Sequence, residues 1–151
     1  MALIKPVVFN LNDELYGVDI NLVQGIEKEQ EIVRVPNTVS YIKGIINLRG
    51  EIIPVFDLKR KFNVPSDEKK DMQYIIVRVK GSKIALEVDG VKEIHEVLNE
   101  DLFDMPMIVT NTDTAYFDRV IRSGKSLIIV INVDNLLTED EMKKLDEMTN
   151  Q

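Results

Sequence analysis

The sequence contains no cysteine and a single histidine, His95. Without cysteine there are no disulfides and no thiolate metal sites. Nucleophilic triads and histidine zinc sites need a placed base or several ligands, so one histidine is too few. His95 alternates with Ile94 among Lys92, Glu93 and Glu96. That pattern points its side chain to solvent from a strand. Long apolar runs are also missing. The longest, Leu127 to Ile131, falls far short of the ~20 residues a membrane helix needs. The start, Met1 to Pro6, has no charged segment leading into an apolar one. The cytoplasm is therefore the expected compartment, with no direct membrane insertion. A start at Met1 and a polar end suit a complete protein.

Basic charge is scarce as well. Lysine and arginine number 19 against 26 acidic residues, a net charge of −7. A nucleic-acid binder needs clustered cations for phosphate, and a single-strand binder needs stacking aromatics. Only 6% of the residues are aromatic. The groups Lys59-Arg60-Lys61 and Lys69-Lys70 read as solvated surface. No Gly-x-Gly-x-x-Gly occurs. Gly124-Lys125-Ser126 looks like the end of a phosphate loop, but Arg119 stands where that motif needs glycine. It reads as a hairpin turn. Nothing calls for a cofactor or a metal.

What the chain does contain is short apolar runs separated by turn signals. Val7 to Leu11 and Leu15 to Val18 flank Asn12-Asp13. Ile45 to Leu48 and Glu51 to Phe56 flank Arg49-Gly50. Tyr74 to Val79 and Lys83 to Val88 flank Gly81. Asp118 to Arg122 and Ser126 to Ile131 flank Gly124. Each pair predicts a β-hairpin, and the abundance of Val and Ile suits strands. Pro54 places its strand at an edge or a bulge, since it cannot donate to a ladder. Asp57 predicts an N-cap for a short helix starting at Leu58. Thr138 and Glu141 form a capping box for a C-terminal helix over about 139–149, with Met142, Leu145 and Met148 on one face.

The pattern also repeats. A shift of about 68 positions lays Phe9, Leu11, Ile20, Val23 and Ile26 on Val77, Val79, Val88, Val91 and Ile94. A shift of about 75 lays Ile52 to Phe56 on Leu127 to Ile131. Two similar lobes of about five strands follow, each closed into a small barrel to remove its edges. The expected division is 12–66 and 71–137, with the strand 7–11 compatible with either and residues 65–70 as a polar linker.

The most informative stretch runs from Gly44 to Leu58: Gly-x-x-Asn-Leu-Arg-Gly-x-x-x-Pro-x-x-Asp-Leu. It resembles the signature of the CheW family, adaptors between chemoreceptors and the histidine kinase CheA. Leu15 to Ile20, Val88 to Val91, Phe117 to Val120 and Ser126 to Leu137 resemble the family's other blocks. The resemblance spans about Val7 to Leu137. It implies a mainly β fold of two SH3-like five-stranded β-barrel subdomains with a short C-terminal helix. It also implies a non-enzymatic scaffold in chemotaxis signal transduction. The partners would be the chemoreceptor cytoplasmic tip and the CheA regulatory domain, met at receptor arrays near the inner membrane surface. The receptor-binding positions carried over are Val23, Gly44 and Arg49, with Ile26 and Leu48 as neighbours.

Physical chemistry suits these roles. Arg49 offers a planar five-donor fork. Gly44 lets another backbone approach. Val23 and Ile26 offer an apolar strip to a helix. The plain alternatives are an ion pair of Arg49 with Asp57 or Glu51, turn geometry at Gly44, and lobe core for Val23 and Ile26. One departure stands out. The family often has Glu in Val-x-Glu-Ile, where this chain has Val23-Gln24-Gly25-Ile26. Two other readings stay open: a CheW-like regulatory domain excised from a CheA kinase, and a receiver-like phosphoacceptor at Asp57.

Overall fold

The computed structural model describes residues 2–36, 41–64, 72–94, 96–105, 117–137, 140, 141, 143 and 147. In chain order the strands are β1 (Ala2–Ile4), β2 (Pro6–Leu11), β3 (Glu14–Asp19), β4 (Val23–Lys28), β5 (Ile42–Leu48) and β6 (Glu51–Asp57). After the short helix α1 (Leu58–Lys61) come β7 (Gln73–Val79), β8 (Ser82–Val88), β9 (Gly90–Ile94), β10 (Val97–Leu98) and β11 (Leu102–Asp104). The last two are β12 (Phe117–Ser123) and β13 (Ser126–Ile131). All four predicted hairpins are present, as β2–β3, β5–β6, β7–β8 and β12–β13. Asp57 caps α1, its carboxylate accepting from the Arg60 amide at 3.2 Å. Asp140, Glu141, Lys143 and Glu147 are helical. The remainder of the predicted C-terminal helix, with Thr138 of its capping box, lies outside the described residues, as do His95 and the linker 65–70.

The architecture is mainly β, in two SH3-like halves. One sheet has the order β4-β7-β8-β6-β5, the other β11-β12-β13-β3-β2-β9, and β1 pairs separately with β10. The hairpins change places between the sheets. β2–β3 joins β9 and β13, strands from the second half of the chain, while β7–β8 joins β4 and β6 from the first. The exchange is symmetrical: β3 runs parallel to β13 as β8 runs parallel to β6. β2 pairs antiparallel with β9 as β7 pairs with β4. The sequence repeat thus recurs as equivalent strand pairings in the two sheets.

This topology explains why several strands are apolar throughout instead of alternating. In β2, Val7, Phe9 and Leu11 face a seam between the sheets, where they join Ile75, Val77, Val79, Ile84, Leu86 and Val88. Val8 faces the opposite way, into a second core with Val97, Ile121, Ile128 and Val130. In β7 and β8, Tyr74, Ile76 and Ala85 turn from the seam into a third core with Ile46, Ile53 and Val55. Strands buried on both faces need apolar residues at every step.

Pro54 departs from the edge expectation. β6 lies between β5 and β8, but its parallel ladder to β8 begins only at Val55. A bulge between Ile42 and Gly44 irregularises the partner strand beside it.

Candidate functional site

The Asn47-Leu48-Arg49-Gly50 sequence builds a tight two-residue turn. Arg49 has φ 51° and Gly50 φ 88°, the pair of left-handed residues that matches the twist of a hairpin. Asn47 closes the turn, its Oδ1 accepting from the Gly50 amide at 2.9 Å. The left-handed conformation is costly for arginine, and the turn thereby holds its side chain out at the hairpin tip.

Arg49 Nη2 donates to Glu27 Oε1 on β4. The expected alternatives, Asp57 and Glu51, are both engaged elsewhere. Asp57 is buried as the cap of α1, and Glu51 pairs with Lys83 of β8 at 2.9 Å. Glu27 also supplies the acid that Gly25 lacks. Positions two apart on a strand share a face, so Glu27 reaches the space that a side chain at 25 would face. Its Oε1 lies 3.9 Å from where a Gly25 Cβ would stand. The two ion pairs border a cleft of about 130 Å³, lined by Gln24, Gly25, Leu48, Ile53 and Ile76 besides the charged groups.

The five candidate residues do not form one patch. Leu48 and Arg49 line this cleft, with Leu48 packed on the core around Ile46 and Ile53. Val23 and Ile26 lie on the other face of β4, opposite Val77 and Ile75, which point into the seam. Val23 packs against the seam core, whereas Ile26 is 40% exposed. A bulge between Val23 and Gly25 resets the alternation between them. Gly44 is buried, and the backbone that approaches it is the chain's own. A Cβ there would sit 2.2 Å from the Val33 carbonyl oxygen. Val33 and Ile45 exchange both backbone hydrogen bonds at 2.9 Å.

Sequence reasoning missed Glu27 and Lys83 as members of the cleft. Strand alternation from Gly25 carries the signal for Glu27, while Lys83 depends on the β6–β8 pairing and has no local signal. Buried charges were missed as well, and Lys59, expected on solvated surface with Arg60 and Lys61, is one of them: it is 3% exposed and held by an ion pair. Glu87 is buried and accepts from Lys43 Nζ at 2.7 Å. Burial pushes its carboxyl above the ordinary value of 4.5, and Lys43 only partly opposes this. Burial and the Glu87 charge likewise push the Tyr74 phenol up. Lys59 pairs with Asp89 where both are buried, and Asp89 also accepts from the Asn12 amide, tying α1 to the β2–β3 and β8–β9 turns. Among the described residues no group of three or more metal-ligating side chains converges, and no helix is long and apolar enough to cross a membrane.

Known proteins share this chain's sequence and architecture over most of its length. The chemotaxis protein CheW of Treponema pallidum is 33% identical over 144 residues, covering 92% of this chain and 85% of that one. That of Klebsiella aerogenes is 31% identical over 143 residues, covering 94% and 86%. The crystal structure of the scaffolding protein TtCheW from Thermoanaerobacter tengcongensis superposes with a TM-score of 0.84 at 39% identity, covering 93% of this chain and 96% of that one. A model of the CheW-like domain matches residues 5–141, and the chain belongs to the CheW-like domain family.

Proposed function

We propose that this chain is a non-enzymatic scaffold that couples chemoreceptors to the histidine kinase CheA. The observation that carries the reading is the likeness to TtCheW, named a scaffolding protein, at 39% identity over 93% of the chain. The site supports it. Arg49 stands at a tight hairpin tip, 73% exposed, beside the half-buried Leu48 and a cleft. A planar fork next to apolar surface suits a helix that presents a carboxylate or carbonyl. Ile26 supplies exposed apolar surface on the other face of β4. In this reading Leu48 and Arg49 contact the receptor tip directly, Val23 and Ile26 form the neighbouring strip, and Gly44 acts by holding the Val33 segment. The CheA regulatory domain is the second partner, and the complex sits in the cytoplasm at receptor arrays.

Reconstitution tests this. The chain is mixed with a chemoreceptor cytoplasmic fragment and CheA, and kinase output is followed. The expected result is that receptor control requires the chain. Arg49→Ala should weaken coupling with a nearly unchanged Tm, because an exposed ion pair contributes roughly 0–1 kcal/mol. Kinase output indifferent to the wild-type chain would refute the scaffold reading. An unfolded Arg49→Ala variant would make Arg49 structural and remove the site assignment.

A further inference from the structure

The cleft beside the Arg49 hairpin is electrically balanced: Arg49 and Lys83 each pair with a carboxylate that lines the same cleft. A second and larger cavity, of about 430 Å³, is not balanced in this way. It is lined by Ile32, Arg34 and Val35 of the segment between β4 and β5, by Ile42 and Lys43 of β5, and by Arg60 of α1. Among the described residues, three cations border it and no carboxylate does, in a chain whose net charge is −7. We propose that this cavity binds a small phosphate monoester, with the phosphate on the cations and a compact apolar body against the isoleucines and the valine. The site is separate from the Arg49 hairpin and does not depend on the scaffold reading.

Each wall brings what such a ligand needs. Arg34 is exposed, and no carboxylate of the described residues pairs with it. Its planar fork matches a phosphate through two parallel hydrogen bonds. Lys43 is 39% exposed, and Glu87 takes one of its three N–H donors. Arg60 adds a third cation from a different element. Three cations from three stretches of chain suit the nearly double charge of a phosphate monoester at pH 7 better than the single charge of a carboxylate. The apolar wall is half of the fit. Ile42 is buried, and Ile32 and Val35 are half-buried, so an apolar group laid on them leaves water. A volume of this size lies within the roughly 300–1,000 Å³ of small-molecule sites, which join apolar walls to a few placed polar groups. The walls are also held in place without a ligand. Val33 and Ile45 exchange two backbone hydrogen bonds at 2.9 Å, which seats the Arg34 segment on β5. The Asp57 cap and the buried Lys59–Asp89 pair seat α1.

The test is a titration of the full chain followed by amide shifts in ¹H–¹⁵N spectra. The probes are phenyl phosphate, inorganic phosphate, benzoate and the neutral benzyl alcohol. Phenyl phosphate should saturate, moving the amides of Ile32, Arg34, Lys43 and Arg60, and should bind more tightly than each of the other three. Its affinity should fall as salt is raised. Arg34→Ala should weaken it about 10-fold with an unchanged Tm, because that side chain is exposed and makes no ion pair among the described residues. Lys43→Ala would strand the buried Glu87, so Arg60→Gln is the second variant. It keeps the Arg60 amide and with it the Asp57 cap, and it should weaken binding as well. Equal affinity for inorganic phosphate would mean plain attraction to cations and would overturn the site, and equal affinity for benzoate would overturn the phosphate assignment. Shifts scattered over the chain's other lysines and arginines, or both variants binding as wild type does, would overturn it too.

Discussion

Glu87 shows what a single buried charge does to this molecule. It is a strand residue of β8 with its side chain almost wholly excluded from water, and its ion-pair partner Lys43 is itself partly exposed. Burial disfavours the ionised form more than Lys43 restores it, so the folded-state pKa lies above the ordinary 4.5. The sign of the linkage follows. The folded state binds the proton more tightly than the unfolded state, so this group's contribution is fully present below about pH 4.5 and is lost as pH rises through the raised folded value. Glu87→Gln removes the dependence while keeping the shape. Thermal melts of both proteins from pH 4 to 7 should show the variant gaining on wild type as pH rises. A difference in Tm that stays flat across that range would mean that Lys43 fully compensates the burial.

At the scale of elements, the hairpins and the helix cap were legible because their causes are local. Asn12-Asp13, Arg49-Gly50, Gly81 and Gly124 mark the turns, and Asp57 marks the start of α1. Partner choice was not legible. Which strand lies beside β2 or β8 depends on matching apolar faces from distant parts of the chain, and no local residue records it. For the same reason Pro54 suggested an edge or a bulge without showing that β6 is interior and the bulge lies in its partner β5, and Arg49 suggested Asp57 or Glu51 although Glu27 lies across the cleft. Gly44 was legible as a point of close approach but not as to what approaches. The Val33 segment does, and Gly44→Ala tests how firmly it is seated. A Cβ 2.2 Å from the Val33 oxygen forces that segment off β5 and strains both hydrogen bonds to Ile45. Such overpacking costs about 1–3 kcal/mol. The Tm should fall, and amide exchange at Val33 and Ile45 should quicken ahead of the rest of β5. Exchange unchanged at those two amides would show that the segment yields without cost.

For the whole molecule, the exchange of hairpins makes the two sheets interdependent. In a chain of two independent barrels, a core mutation in one would leave the other standing. Here β2 lies in one sheet while its Phe9 is wholly buried among β7 and β8 residues of the other. The buried ion pair of Lys59 with Asp89, and the Asn12 amide bound to the same carboxylate, link both sheets again at the turns. Phe9→Ala therefore opens a cavity that both sheets share. The expected cost is about 3–5 kcal/mol, which for a domain of this size lowers the Tm by roughly 6–20 °C. The distribution of that cost matters more than its size. Native-state hydrogen exchange should show β8 amides, such as those of Ile84 and Leu86, losing protection by the same free energy as β13 amides, such as those of Ile128 and Val130, in one cooperative opening. Protection lost in only one of these strands, or a melt that splits into two transitions, would mean that the sheets unfold separately. The seam would then be a contact surface between two units, not a core that the whole chain shares.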